Sequence, residues 1–262
     1  MKLNNEHVTI SAAGQATRIR SWMHEAGFAE GTPKSALPTG AGESLIGRIT
    51  RQAMPLGRVA IYGNYDTVRG IGEVPDLPRD IDLLVNRNVI GPLGPIYLDA
   101  LRTEKQSYMA AADFWADFSW EEFRDFHNEH GKPVSILVAP SVAAKSGARF
   151  NLADDGATVE NWERVDETTE DDLINIGAYI IDGQSTDINQ ILRELNRTTH
   201  KEDPFNDVMI AKGAMAAFIA NGKAFNANNG DVYEAMREYS ASKPVVLEPA
   251  SPNPIDFAPN AP

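Results

Sequence analysis

Three aspartates beside strand-like segments are the residues of this sequence best suited to chemistry. Asp80 and Asp82 flank Ile81 at the start of the run DIDLLV, and Asp99 lies in the later run IYLDAL. Side chains at positions i and i+2 of a strand point to the same face of the sheet. Two carboxylates so close repel each other, and a divalent cation would keep both ionised at neutral pH. The three acids therefore predict a two-metal site for divalent cations, of the kind that supports phosphoryl or nucleotidyl transfer.

A glycine turn precedes these acids in the chain. The apolar run RVAIY ends at Gly63-Asn64, and the helix-like run LIGRITRQA comes before it. Over residues 58–99, this order of strand, glycine turn, Asp-x-Asp strand and later aspartate resembles the nucleotidyltransferases of the DNA polymerase β-like superfamily, including its minimal members. The chain departs from that family in three ways. Asn64 stands where the family usually has Ser, the loop from Gly63 to Asp80 is longer, and the step from Asp82 to Asp99 is shorter.

The resemblance implies roles for the three acids. Asp80 and Asp82 would bind two Mg²⁺ ions that carry a nucleoside triphosphate (NTP). Asp99 would bind one of these ions and help to deprotonate the acceptor. The implied reaction transfers a nucleoside monophosphate from the NTP to a hydroxyl acceptor, which the sequence does not identify.

The resemblance also implies groups that bind the phosphates. Gly63 would let the backbone approach the phosphates, and Asn64 would donate hydrogen bonds to them. Arg69 and Arg79 are candidates for binding the phosphate tail, because guanidinium groups pair well with phosphate oxygens.

Three other interpretations stay open. The acids could be a solvated strand end that needs no metal. Asn64 makes an inactive relative of the family conceivable. The chain could also be a non-enzymatic assembly protein, such as a component of a virus particle, because its tail and its aromatic segment 111–126 suit contacts with neighbouring subunits.

The pattern of elements predicts an α+β fold in three parts. Residues 1–165 read as a small, palm-like mixed sheet with flanking helices. Residues 166–245 read as a helical domain, in which DDLINIGAYIIDG and FNDVMIAKGAMAAFIANG are taken as helices. Residues 246–262 are proline-rich and predict an extended tail that could order on a partner or in self-assembly.

The aromatic segment and the histidines that follow it receive structural interpretations. Ser119 and Glu122 have the spacing of a capping box, which predicts that a helix begins there. His127 and His130 are spaced for metal ligation on a helix, but no third ligand is evident, so we expect exposed histidines at a helix end. The aromatic side chains are expected in the core or at a subunit contact; they are Phe114, Trp115, Phe118 and Phe123.

Composition limits the functional classes. The net charge of −13 makes general nucleic-acid binding a poor prediction, because that binding depends on cations that neutralise phosphates. With no cysteine there are no disulfides and no thiolate metal sites, which fits a cytoplasmic protein, with a virion as the alternative. No apolar run reaches the roughly 18–20 residues that cross a bilayer, so we expect no membrane insertion.

Overall fold

A mixed β-sheet forms the centre of the molecule. The computed structural model describes residues 6–12, 19–85, 106–140, 147–198, 202–227 and 229–242. Within these ranges, the strands of the main sheet lie in the order β10-β6-β9-β4-β1-β2-β3, and the hairpin β7–β8 is attached to β9. All strands of this row are parallel except β9, which is antiparallel to both β4 and β6. The α+β class and the mixed sheet with flanking helices are therefore confirmed.

The bounds of the elements follow from the described residues. The strands are β1 Glu6–Ser11, β2 Gly57–Gly63, β3 Ile81–Val85, β4 Gln106–Ala111, β5 Phe114–Ala116, β6 Val134–Pro140, β7 Gly147–Leu152, β8 Val159–Val165, β9 Leu173–Asp182, β10 Met215–Ile219 and β11 Ala224–Asn226. The helices are α1 Arg20–Glu25, α2 Leu45–Ala53, α3 Tyr65–Gly72, α4 Trp120–His130, α5 Thr186–Thr198, α6 Glu202–Ala211 and α7 Gly230–Ala241. Short 3₁₀ turns cover Lys34–Ala36 and Met54–Leu56.

Local signals explain several of these bounds. Ser44 caps α2, and its hydroxyl accepts a hydrogen bond from the Gly47 N–H at 3.0 Å. The expected start of α4 is confirmed, because the Ser119 hydroxyl accepts from the Glu122 N–H. Gly27 follows α1 with a φ of 83°, a left-handed conformation that suits glycine at a helix end.

Both faces of the sheet are buried at its central strands. On one face, apolar side chains from β1, β2, β4 and β6 pack with α2 and with Trp120 and Phe123 of α4. On the other face, alternate residues of β6 and β9 pack with apolar residues of α5 and α6. A third apolar cluster joins α1 and α7 around Trp115 and Phe225. This double coverage explains why the central strands read as nearly continuous apolar runs.

The prediction that the segment after residue 165 is helical is wrong for two stretches. Residues Leu173–Asp182, taken as a helix, form β9, which lies between β4 and β6. Residues Met215–Ile219, also taken as helical, form β10. A short apolar run that is buried on both faces has no period that separates a strand from a helix. The predicted tail, 246–262, lies outside the described residues.

Candidate functional site

The carboxyl ends of β1 and β4 lie side by side at the point where the strand order changes direction. On one side of β1 lie β2 and then β3, whereas β4 lies on its other side. In open α/β sheets, ligands bind in the crevice outside the carboxyl ends of the strands at such a switch point. Ser11 ends β1 at this place and Ala12 follows it, and Ala112 and Asp113 follow β4. The Ala112 N–H donates to the Ser11 carbonyl at 3.0 Å, which ties the two strand ends together.

An ion pair between Lys34 and Asp113 lies at this edge. Lys34 Nζ donates to Asp113 Oδ2, and the two side chains are only 11% and 26% exposed. A lysine with so little exposure is uncommon in a soluble protein unless it is paired. Among the described residues, a cation and an anion are therefore held together next to the ends of the two central strands.

Packing of the neighbouring loop fixes the position of Lys34. Pro33, the residue before it, lies against Gly70 of α3 so closely that an added Cβ at Gly70 would come within 2.7 Å of the proline ring. Leu37, just after the 3₁₀ turn, is fully buried in the third apolar cluster. The turn is thus held on both sides of Lys34, which limits where the ammonium group can reach.

Backbone pairing fixes the position of Asp113. Its carbonyl accepts a hydrogen bond from the Ala227 N–H at 2.9 Å, and Phe114, the next residue, pairs with Asn226 in the β5–β11 ladder. Two oxygen atoms at this edge are buried and have no hydrogen-bond partner among the described residues: Ser11 Oγ and Asn226 Oδ1. Buried polar atoms without partners are rare in proteins and call for an explanation, such as an absent water, ion or ligand.

The first residues of the antiparallel strand β9 complete this edge. Gly177 lies beside Ala111 with a φ of 91°, and an added Cβ would lie 2.8 Å from the Ala111 Cβ, so only glycine fits. Asn175 Oδ1 accepts from the Gly177 N–H at 2.7 Å, and its Nδ2 donates to the Tyr179 hydroxyl at 2.8 Å. These contacts hold the entry of β9 rigid against the end of β4.

The predicted phosphate-binding turn reaches the same edge of the sheet. Gly63 ends β2 and is buried, and the exposed Asn64 begins α3. The Asn64 Oδ1 accepts from the Thr67 N–H at 2.9 Å, so this side chain caps the helix. A hydrogen bond from Asn64 to a phosphate stays a prediction.

The structure places the predicted metal ligands away from that turn. Asp80 and Asp82 lie at the amino end of β3. Asp82 pairs with Ala60 of β2, whereas Gly63 pairs with Val85. Gly63 is therefore three residues further along the strands than Asp82, a distance of about 10 Å. Asp82 instead forms a two-pronged ion pair with Arg58, at 2.6 and 2.8 Å, and this bond raises the pKa of Arg58.

The other residues predicted for the site do not join Asp80 and Asp82 in a metal-binding cluster among the described residues. Asp99 lies outside the described residues, so the gathering of three acids stays untested. Arg69 is exposed and pairs with Glu73 one helical turn away, and Arg79 is exposed beside Asp80. In the described part of the chain, no three His, Asp or Glu side chains form a group that could hold a metal ion.

The prediction of exposed histidines at the end of α4 is wrong for His127. This side chain is 4% exposed, and its Nδ1 lies 2.7 Å from the hydroxyl of the buried Ser135 on β6. His130 Nε2 lies 2.7 Å from the same hydroxyl. Burial lowers the pKa of His127 to about 4 and also lowers the pKa of His130. The two rings form a buried polar contact at the amino end of β6, the edge opposite to Lys34 and Asp113.

Sequence reasoning missed Lys34 and Asp113. The segment GTPKSALPTG reads as a loop because of its glycines and prolines, which hides its lysine. Asp113 directly follows the apolar run YMAAA. An acid just after a buried strand is a pattern that could have indicated a ligand-binding residue.

Comparisons with known proteins agree with this fold. No family model matches the chain, and no curated protein matches its sequence. Solved structures do match. HddC from Yersinia pseudotuberculosis aligns with a TM-score of 0.64 and 15% identity, over 89% of this chain and 99% of that one. A protein named as a candidate glucose-1-phosphate thymidylyltransferase from Bacillus anthracis, solved with a sucrose, aligns with a TM-score of 0.72 and 12% identity, over 90% and 95% of the two chains.

The likeness establishes that the chain shares its fold with these two structures, one of which is named as a thymidylyltransferase. Identities of 12% and 15% support a shared architecture but do not show a shared activity. Membership of the polymerase β-like superfamily stays a prediction. Among the helices of the described ranges, none has the length and the apolar character that spanning a bilayer requires.

Proposed function

We propose that this chain is a nucleotidyltransferase that binds an NTP at the switch point between β1 and β4. The observation that carries the proposal is the poorly exposed Lys34–Asp113 ion pair at the carboxyl ends of these strands. A fold shared with nucleotidyltransferase-like structures supports it. In a chain with a net charge of −13, a sheltered lysine at a ligand-binding edge provides the local positive charge that a triphosphate needs.

The reaction requires charge to be stabilised on the leaving group. An oxygen of the acceptor attacks the α-phosphorus of the NTP, the bond from that phosphorus to the bridging oxygen breaks, and pyrophosphate leaves. The Lys34 ammonium would donate hydrogen bonds to phosphate oxygens and offset the charge that develops there. Because packing holds the lysine on both sides, it needs little reorganisation as charge builds up.

Asp113 fits a role as a ligand for Mg²⁺. Magnesium in phosphoryl-transfer sites is typically held by one or two carboxylates and by substrate phosphates, so a three-acid cluster is not required. The unpartnered Asn226 Oδ1, one residue along the ladder from Asp113, is a second oxygen of suitable chemistry. The bound ion would polarise the phosphate oxygens and neutralise their charge. The competing placement of the metal on Asp80, Asp82 and Asp99 stays a prediction.

The acceptor could be a hydroxyl group, as the sequence resemblance implies, or a phosphorylated sugar. The second possibility comes from the name of the Bacillus anthracis protein, whose acceptor would be glucose-1-phosphate. A phosphate oxygen is already ionised at neutral pH, so that reaction would need no group to remove a proton from the acceptor. We propose a sugar phosphate for this reason.

Titration calorimetry with each NTP in MgCl₂ tests the site. We expect Asp113→Asn and Lys34→Met to weaken NTP binding by at least tenfold, since each removes a charge that meets the triphosphate or its metal. The double variant Asp80→Asn/Asp82→Asn should bind like the wild type. The reverse result, with binding lost only in the double variant, would move the metal to β3.

Release of pyrophosphate tests the reaction. The chain is incubated with an NTP, MgCl₂ and either sugar 1-phosphates or hydroxyl acceptors, and pyrophosphate is measured. Acceptor-dependent release that is lost in Lys34→Met supports the proposal. A wild-type protein that binds no NTP and instead assembles into large particles as its concentration rises would contradict it, and would favour the assembly role.

A further inference from the structure

The guanidinium group of Arg48 lies between the two segments of the chain that carry Lys34 and Asp113. Arg48 is on α2, and its side chain is 15% exposed. Its Nη1 donates to Glu43 Oε1 at 3.0 Å, and its Nη2 donates to Asp117 Oδ1 at 3.4 Å. Arginine presents its donors in a rigid planar fork, so this one group can hold two carboxylates at a fixed separation.

Glu43 belongs to the loop that follows Lys34. Its carboxylate is 1% exposed, and its carbonyl accepts a hydrogen bond from the Thr39 N–H at 2.6 Å. The Leu45 N–H donates to the Leu37 carbonyl at 3.0 Å, so the chain closes on itself three residues after Lys34. A shift of Glu43 would therefore move the segment next to Lys34.

The other contacts of Arg48 lie on the segment that follows Asp113. The guanidinium carbon is 4.4 Å from the centre of the buried Trp115 ring, which is a cation–π contact. Trp115 lies in β5, two residues after Asp113, and Asp117 directly follows that strand. On the same helix, Gln52 Nε2 donates to the carbonyl of the last residue of β5 at 3.2 Å. The helix α2 thus holds the segment after Asp113 as well as the loop after Lys34.

We propose that Arg48 is a positioning residue that sets the separation between Lys34 and Asp113. The ammonium group and the carboxylate must meet the phosphates and the metal ion of one ligand together, so their separation decides how well that ligand fits. The inference rests on the proposed function, since it concerns the same site. It goes beyond that function by extending the site to a residue of α2 that acts through its neighbours.

Arg51, three positions further along α2, provides a matched control. Its Nη2 donates to Glu43 Oε2 at 2.6 Å and to Asp76 Oδ2 at 3.1 Å, and its side chain is 25% exposed. Asp76 lies in the connection between α3 and β3. Among the described residues, both arginines pair with Glu43, and Arg48 is the one of the two that pairs with Asp117.

Calorimetric titration of inorganic pyrophosphate at a series of free Mg²⁺ concentrations tests this role. Arg48→Lys keeps the charge but loses the planar fork, so it does not hold both carboxylates in the same geometry. We expect it to raise the Mg²⁺ concentration that supports half-maximal binding by about tenfold, the low end of what the loss of a supporting contact costs a metal site. Arg51→Lys should stay close to the wild-type concentration, because it leaves the contact with Asp117 in place.

Urea denaturation of the two variants separates positioning from general damage. Both substitutions weaken a bond to the buried Glu43, so both should lower the midpoint of denaturation to a similar extent. A merely structural role for Arg48 predicts equal losses of stability and equal Mg²⁺ dependence in the two variants. The positioning role predicts equal losses of stability, with a changed Mg²⁺ dependence in Arg48→Lys alone.

Asp117→Asn decides the question if Arg48→Lys does not fold. This variant keeps the shape of the side chain and the bond between Arg48 and Glu43, and it should shift the Mg²⁺ dependence in the same direction by a smaller amount. Wild-type Mg²⁺ dependence in whichever of the two variants is decisive would overturn the inference and leave the proposed function standing. An equal shift in Arg51→Lys would overturn it as well. If the wild type binds neither an NTP nor pyrophosphate with Mg²⁺, the proposed function fails, and this inference fails with it.

Discussion

At the scale of single residues, the buried contact among His127, His130 and Ser135 has a defined order of hydrogen bonds. The Lys132 N–H donates to His130 Nδ1 at 2.7 Å, so the neutral ring of His130 carries its proton on Nε2 and donates it to Ser135 Oγ. The serine hydroxyl can then donate to His127 Nδ1. A proton added to His127 at Nδ1 would leave this hydroxyl hydrogen without an acceptor. The contact therefore favours neutral histidines.

This arrangement predicts that acid destabilises the protein through His127. Neighbouring titratable groups also change the two pKa values. His130 lowers the pKa of His127 further, whereas Asp182 on β9 raises it. Lys132 lowers the pKa of His130. Because the folded-state pKa of about 4 lies below the unfolded value of about 6.5, the stabilisation is complete above pH 6.5. It is lost as the pH falls from there to about 4. The loss should be roughly 2–3 kcal/mol.

Urea denaturation at pH 7.0, 5.5 and 4.5 checks this prediction. His127→Asn, which keeps an acceptor near the serine, should lose less stability between pH 7.0 and 4.5 than the wild type. The exposed His24 provides the control, and His24→Asn should keep the wild-type pH dependence. Equal pH slopes for the wild type and His127→Asn would contradict the assignment.

At the scale of elements, α7 fixes the loop that follows Lys34. The Gly40 N–H donates to the hydroxyl of the buried Ser240 on α7 at 2.8 Å, and the Tyr233 hydroxyl donates to the Pro38 carbonyl at 2.6 Å. An added Cβ at Gly40 would lie 1.9 Å from the Arg237 carbonyl oxygen, which is backbone and cannot move aside. The helix therefore rests directly on the Gly40 backbone.

Gly40→Ala should separate α7 from this loop and destabilise the fold by about 3 kcal/mol, at the upper end of the cost of overpacking. The matched control is Gly72→Ala at the end of α3, where an added Cβ would make an ordinary contact of 3.4 Å with Leu83. That control should change stability by no more than about 1 kcal/mol. Thermal melting of both variants checks the difference, and equal melting temperatures would contradict it.

Elements with local signals could be predicted from the sequence. The pairing of Ser119 with Glu122 and the strand before Gly63 each depend on neighbours within a few residues, and the structure has both. The apolar run NIGAYII carries no such local signal, because its burial on both faces comes from α5, α6 and the opposite core. Its assignment required the tertiary structure.

The candidate site was hard to predict for the same reason. Lys34 and Asp113 are separated by 79 positions, and neither local segment has a pattern that indicates contact with the other residue. The end of β2 at Gly63 could be predicted, because a strand that ends at a glycine is a local pattern. Asp80 and Asp82 lie before and within β3, so the direction of that strand puts them at the opposite edge.

At the scale of the whole molecule, β9 joins the two parts of the parallel sheet. It pairs with β4 on one side and with β6 on the other, and β4 and β6 do not pair with each other in the described residues. The hairpin β7–β8 reaches the sheet through β9 as well. The segment after residue 165 is therefore needed to hold the earlier segments together.

A fragment that ends at the predicted domain boundary tests this role. Residues 1–165 lack β9, so the long edges of β4 and β6 would be unpaired, and such edges promote aggregation. We expect the fragment to show no cooperative thermal transition by circular dichroism, whereas the full chain melts cooperatively. A soluble fragment with a sharp transition would support the boundary at 165 and contradict this prediction.

The central position of β9 also has a consequence for biosynthesis. The ribosome must reach Asp182 before β4 and β6 acquire the strand that connects them, so about 70 residues separate the synthesis of β4 from the completion of its ladder. At bacterial or eukaryotic elongation rates this delay is several seconds or more. During that interval the nascent chain presents bare strand edges, and a chaperone that shields them would have its largest effect then.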